Sequence, residues 1–268
     1  MTALAHFFAI SCYIGSVAIA ATPFARPVRA PVRLLCLVLG AGVIAHAAGL
    51  VAYWIGASVA PLTGLGPALS FASLLIAVTL LIVELTAREV TLTLVAAPLA
   101  AITAIIAVSL GLRPGTGAEG VRGVWLFSHI ALSFAGMATF ATAAAAGALY
   151  LVERRELKSR RFGAVFRVFP PLATLDRVNH LAAIVSWLAL TVGIVLAATY
   201  SVAYQQLNLA QLVWGTVAWG CVSWIALGRV LSGWQARRAA LYSSVSFVAV
   251  VLLYVAFRMS LPGSGQFL

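Results

Sequence analysis

The sequence predicts an all-α fold: a polytopic membrane helix bundle of about eight transmembrane helices, with both termini outside. Three observations predict it. Hydrophobic residues make up 63% of the 268-residue chain and charged residues only 9%, where a soluble domain carries about a quarter charged residues. Apolar runs of about 20 residues, the length needed to cross a bilayer, recur along the chain. The segments between them alternate sharply in positive charge. This composition excludes a water-soluble fold, a disordered chain and a nucleic-acid-binding chain. The net charge of +11 is read as membrane topology.

In chain order, the first span is Ala3–Ala21. It lacks the charged start and small-residue cleavage pattern of a removable signal, so it is kept as a helix. The break Pro23-Phe-Ala-Arg-Pro27 separates it from Leu34–Ile55. Pro61-Leu-Thr-Gly-Leu-Gly-Pro67 marks the turn into Leu65–Val83, and Val90–Leu112 follows with Pro98 as a kink point. Arg113-Pro-Gly-Thr-Gly117 then precedes Val124–Val152, Val178–Tyr200, Leu209–Leu227 and Ala239–Phe257. All are apolar on every face, without the period-2 alternation of a β-barrel.

One set of inter-span segments holds Arg26, Arg29 and Arg33; Arg88; Arg154, Arg155, Lys158, Arg160, Arg161, Arg167 and Arg177; and Arg229, Arg237 and Arg238. Of the 17 basic residues, only Arg113, Arg122 and Arg258 fall in the other set. The positive-inside rule puts the first set in the cytoplasm, which requires an even number of spans. The whole chain, 1–268, then forms a single integral membrane domain with a cytoplasmic basic loop at about 153–177. In that loop Phe162, Val165, Phe166 and Phe169 recur at helical spacing between arginines. It reads either as a short helix on the anionic inner leaflet or as an ordinary positive-inside loop.

The candidate chemistry is narrow. No Gly-Lys-Ser/Thr phosphate loop, His-Glu-x-x-His or Gly-x-Ser-x-Gly occurs. Glu84 and Glu89 sit at the cytoplasmic ends of spans, which argues against a buried carboxylate relay. Cys12, Cys36 and Cys221 lie in different spans without Cys-x-x-Cys spacing, as small apolar fillers. Of the seven tryptophans, most fall near span ends, as an aromatic belt places them. No catalytic residues are assigned.

Histidine remains. Imidazole in hydrocarbon is costly without a partner, a cavity or a metal, so each intramembrane histidine marks a candidate site. His46 lies about 18 Å from the cytoplasmic end of its span, and His180, counted from Leu172, about 12 Å. At similar depth, two neutral imidazoles can hold a haem iron axially. The other reading is that each histidine hydrogen-bonds a carbonyl or hydroxyl of a neighbouring helix. His129 and His6 lie near the outer ends of their spans; His6 is read either as an incidental terminal histidine or as a partner to His129.

Several strings, taken in order, resemble the cytochrome c assembly membrane-protein family of CcsA/CcmC-type haem handlers, and within it the HemX/YpjD-like branch of small eight-helix proteins. They are the mid-helix His46, Ser128-His-Ile-Ala-Leu-Ser-Phe134, Ala148-Leu-Tyr-Leu-Val-Glu-Arg154 and Pro170-Pro-Leu-Ala-Thr-Leu-Asp-Arg-Val-Asn-His180. Leu190-Thr-Val-Gly193, Val213-Trp-Gly-Thr-Val-Ala-Trp219 and Gly233-Trp-Gln-Ala-Arg-Arg-Ala239 complete the set. The resemblance implies haem b held between His46 and His180, with His129 similar to the first of an outer histidine pair.

Two family features are missing. The stretch 199–210 contains neither Trp nor Asp, and 225–229 contains no His. The outer haem-presenting site is therefore incomplete, and synthase activity is not expected. The resemblance implies a multi-pass protein of the bacterial inner (plasma) membrane that handles haem in cytochrome maturation. Its partners would be the lipid bilayer, haem, and membrane or cytosolic proteins of haem or cytochrome pathways. The alternative is a non-catalytic partner or regulatory subunit that keeps the family fold.

Overall fold

The structure is a computed structural model that describes residues 2–25, 30–57, 62, 64–87, 91–113, 120–159, 170–205 and 209–260. These form α1 (Thr2–Ala25), α2 (Val32–Ala57), α3 (Leu65–Ala87), α4 (Thr93–Leu110), α5 (Gly120–Ser159), α6 (Leu172–Tyr204), α7 (Leu209–Ser232) and α8 (Ala236–Ser260). Each is long and apolar enough to cross a bilayer. Each contains or closely matches one span expected from the sequence. The largest differences are at α5 and α6. The charged run Glu153-Arg-Arg-Glu-Leu-Lys158 continues α5 as helix, and α6 runs on through Tyr200 to Tyr204. The aromatic surface helix expected around 162–169 lies outside the described residues.

An even number of crossings returns the chain to its starting side. The start of α1 and the end of α8 therefore share one end of the bundle, here called the far end. Arg33, Arg154, Arg155, Lys158, Arg177, Arg229, Arg237 and Arg238 gather at the other, basic end.

The helices form two groups. Helix α1 packs on α2 and α4, and α3 packs on α4 and α2. In the second group α5 packs along α6 and α8, and α7 packs on α6 and α8. The principal link between the groups is α3 against α5, which makes α5 the spine of the molecule.

Lipid tails are as apolar as leucine, so helices associate in a membrane through close packing and hydrogen bonds. The residues at the contacts are accordingly small. Helix α4 buries Ala96, Ala97, Ala100, Ala101, Ala104 and Ala107. Gly136 of α5 lies against Leu190, and Gly147 lies against the Ala240 carbonyl of α8. Large apolar side chains point outward instead: Leu37, Ile44 and Val202 are 71%, 72% and 81% exposed.

Glu84 was expected at a span end, and the structure gives it a specific task there. It is fully buried. Its Oε1 accepts hydrogen bonds from the Thr93 backbone N–H at 3.2 Å and the Thr93 hydroxyl at 2.6 Å. Helix α4 has no side-chain cap of its own, so α3 supplies the acceptor for its first turn. Glu84→Ala should destabilise the detergent-purified protein by about 1–3 kcal/mol through the orphaned donors. Glu84→Gln, which keeps one acceptor oxygen, should cost less. Equal thermal midpoints for the wild type and the alanine variant would refute this capping role.

Candidate functional site

Two networks of buried polar side chains stand out, one in each half of the molecule. In the first half, α1, α2 and α3 bring together His6, Tyr13, His46 and Ser70, all fully buried. His6 Nδ1 lies 2.7 Å from the Thr2 carbonyl, and His6 Nε2 lies 2.8 Å from Ser70 Oγ. The same Ser70 oxygen is 2.8 Å from His46 Nε2, and His46 Nδ1 is 3.0 Å from Tyr13 Oη. The two imidazoles meet edge to face, with ring centroids 4.9 Å apart. Gly42, one turn before His46, lets α1 come close: a Cβ there would lie 2.8 Å from Cys12 Cβ and 3.0 Å from Tyr13 Cε1.

His6 is therefore not incidental. It pairs with His46 through Ser70. Sequence reading missed Ser70 and Tyr13 altogether, because a serine or tyrosine in an apolar span carries no signal of a partner on another helix.

In the second half, Arg229 of α7 donates to Asp176 Oδ1 at 2.6 Å and to Asn179 Oδ1 at 3.3 Å. Asn179 Nδ2 in turn donates to the Ala143 carbonyl of α5 and to Ser243 Oγ of α8, each at 2.7 Å. Ser243 passes its own hydrogen to the Ala239 carbonyl at 3.0 Å. The string Asp176-Arg-Val-Asn179 thus ties all four helices of this half together near the basic end. His180 follows directly. It is half-buried, and its Nδ1 is buried without a hydrogen-bond partner among the described residues.

His129 sits toward the far end of α5, where its Nδ1 lies 2.8 Å from the Gly193 carbonyl of α6. Beside it toward the far end, Trp125, Tyr200 and Tyr204 form an edge-to-face aromatic group. Arg122 donates to Tyr200 Oη at 2.7 Å and lies 4.9 Å from the Tyr204 ring centre. The stretch that lacks tryptophan in sequence is thus partly helical, and its aromatic content comes from tyrosines of α6. Of the other tryptophans, Trp219 donates to Thr191 Oγ1 at 2.9 Å and Trp214 to the Val250 carbonyl at 3.1 Å.

The structure does not bring His46 and His180 into contact. They belong to different helix groups, and no hydrogen bond or ring contact among the described residues joins them. The hydrogen-bonded reading of the histidines describes His6, His46 and His129 as they stand. Among the described residues no three His, Cys, Asp or Glu side chains converge as a metal site. Cys12, Cys36 and Cys221 are free thiols.

Eight membrane-crossing helices with histidines held between them define a polytopic membrane protein whose candidate chemistry is that of imidazole. Residues 62–263 match the family described as Cytochrome C assembly protein, and the chain belongs to that family. Membership points to a role in cytochrome c biogenesis. The matched range contains Ser70, His129 and His180 and leaves His6, Tyr13 and His46 outside it. Comparison with curated proteins gives no match.

Proposed function

We propose that the protein holds haem b within the bilayer for haem handling in cytochrome c maturation, with His180 and His46 as the iron ligands. His180 carries this reading. A buried ring nitrogen without a partner is costly in hydrocarbon, and the polar neighbours of His180 in the chain, Asp176 and Asn179, are already committed to Arg229 and Ser243. His180 fits an axial ligand as it stands. His46 has both ring nitrogens engaged, Nε2 with Ser70 and Nδ1 with Tyr13, and would serve as a ligand only after releasing Ser70. When bound, haem supplies an iron centre with two imidazole ligands, suited to carrying the group or an electron.

His129 supports a second haem contact at the far end. A carbonyl only accepts, so Nδ1 carries the hydrogen and Nε2 keeps its lone pair, an arrangement typical of metal-binding imidazoles. The basic end faces the cytoplasm of a bacterial inner membrane by the positive-inside rule. In this reading the protein acts as a carrier and not as a synthase.

The test is the visible spectrum of the detergent-purified protein, oxidised and reduced, with a pyridine haemochrome count. The expected result is a Soret band with sharp reduced α and β bands at about one haem per chain, lost in His180→Ala. A protein that stays colourless after haemin is supplied would sink the reading. The family fold would then serve a partner membrane complex without a haem of its own.

A further inference from the structure

The four residues around Ser70 allow one arrangement of hydrogens when both imidazoles are neutral. The Thr2 carbonyl has no hydrogen to give, so His6 Nδ1 is the donor of that bond. A neutral imidazole has one N–H, so His6 Nε2 accepts, and the single hydrogen of Ser70 is spent on it. Ser70 Oγ then offers only lone pairs to His46, whose Nε2 must carry the hydrogen. His46 Nδ1 is left as an acceptor, and Tyr13 donates to it. The backbone carbonyl at one end thus fixes every donor along the line, as far as Tyr13.

We propose that Ser70, anchored through His6 to the Thr2 carbonyl, holds His46 in the tautomer that cannot bind iron at Nε2, and so gates haem loading at that histidine. Ser70 and His6 are positioning residues, and the proposal rests on the haem reading of His46. For Nε2 to bind, its contact with Ser70 must break and its hydrogen must relocate to Nδ1, where Tyr13 Oη becomes the acceptor. The lone pair freed on Nε2 would then be available to iron. No proton leaves the chain and no electron is transferred. Ser70 keeps its bond to His6 throughout, so the lock re-forms when the ligand departs.

Two measurements test this on the full-length protein, purified without a histidine tag. The first is the nitrogen-15 spectrum of haem-free protein carrying labelled histidine, with resonances assigned by His6→Gln and His46→Gln. It should show a hydrogen on Nε2 of His46 and on Nδ1 of His6. The second is the rate of appearance of the bis-histidine spectrum after haemin is added. Ser70→Ala should load faster by up to about tenfold, the factor set by one ordinary hydrogen bond. Ser70→Thr, which keeps the hydroxyl, should load at the wild-type rate.

A hydrogen on Nδ1 of His46 in the haem-free protein would overturn the gate. So would equal loading by the wild type and Ser70→Ala. In both cases the haem reading would stand. If none of the three proteins takes up haemin, the haem reading itself fails and the gate fails with it.

Discussion

Asp176→Ala should destabilise the protein by about 3 kcal/mol, because it strands a charge. The Arg229 side chain is 10% exposed and that of Asp176 30%, with 2.6 Å between donor and acceptor. Removing one member of a partly buried pair costs more than the pair contributes, since the remaining ion has lost its compensation where water only partly reaches it. The loss also spreads. Arg229 reaches Asn179, whose amide holds the Ala143 carbonyl and Ser243. With Asp176 gone, Arg229 must either pull away from Asn179 toward water or remain uncompensated. A double variant, Asp176→Leu with Arg229→Met, should recover much of the loss by removing both charges together. Unfolding in detergent, followed by helix content, gives the comparison. If the double variant is as unstable as the single one, or more so, the stranded-charge account is wrong.

Gly147→Ala should do severe damage for the addition of a single methyl group. A Cβ at Gly147 would lie 2.7 Å from the Ala240 carbonyl oxygen, 2.8 Å from Ser243 Oγ and 3.0 Å from Ser244 Oγ. The nearest obstacle is backbone and cannot turn aside, so α5 and α8 must separate. Overpacking of this kind costs about 1–3 kcal/mol. Separation would also weaken the bond from Ser244 to the Ala144 carbonyl, now 3.1 Å, and the one from Asn179 to Ser243. Gly220→Ala is the control. Nothing lies within 4 Å of a Cβ there, and replacing glycine in a helix with alanine gains up to about 1 kcal/mol. The two variants should therefore move the thermal midpoint in opposite directions. A shared direction would mean that the α5–α8 contact is looser than it looks.

The helices were legible because lipid imposes a plain rule: about 20 apolar residues per crossing, punctuated by charge, proline and glycine. Their ends were less legible. Helix α5 continues through Glu153 to Lys158, where polarity marks the departure from hydrocarbon and does not end the helix. His46, His129 and His180 were visible as polar groups in apolar spans. Their partners were not, because the contacts join residues far apart in sequence: Ser70 to both His6 and His46, and Gly193 to His129. Helical spacing describes one helix at a time. It could not show that His6 and His46 converge on a single hydroxyl. The string from Asp176 to His180 stood out through its likeness to a family. Its first and fourth residues bind Arg229 and brace four helices, which is a structural duty beside any that His180 performs.

The division into two helix groups bears on how the chain is made. Each hydrogen bond between helices described above stays within α1–α4 or within α5–α8. Tyr13, His46 and Ser70 find one another across the first three helices, and Glu84 meets Thr93 as soon as α4 begins. As the polypeptide leaves the ribosome, the first four helices can therefore complete this wiring before α5 enters the membrane. No buried imidazole of that group has to wait in lipid for a partner still being synthesised.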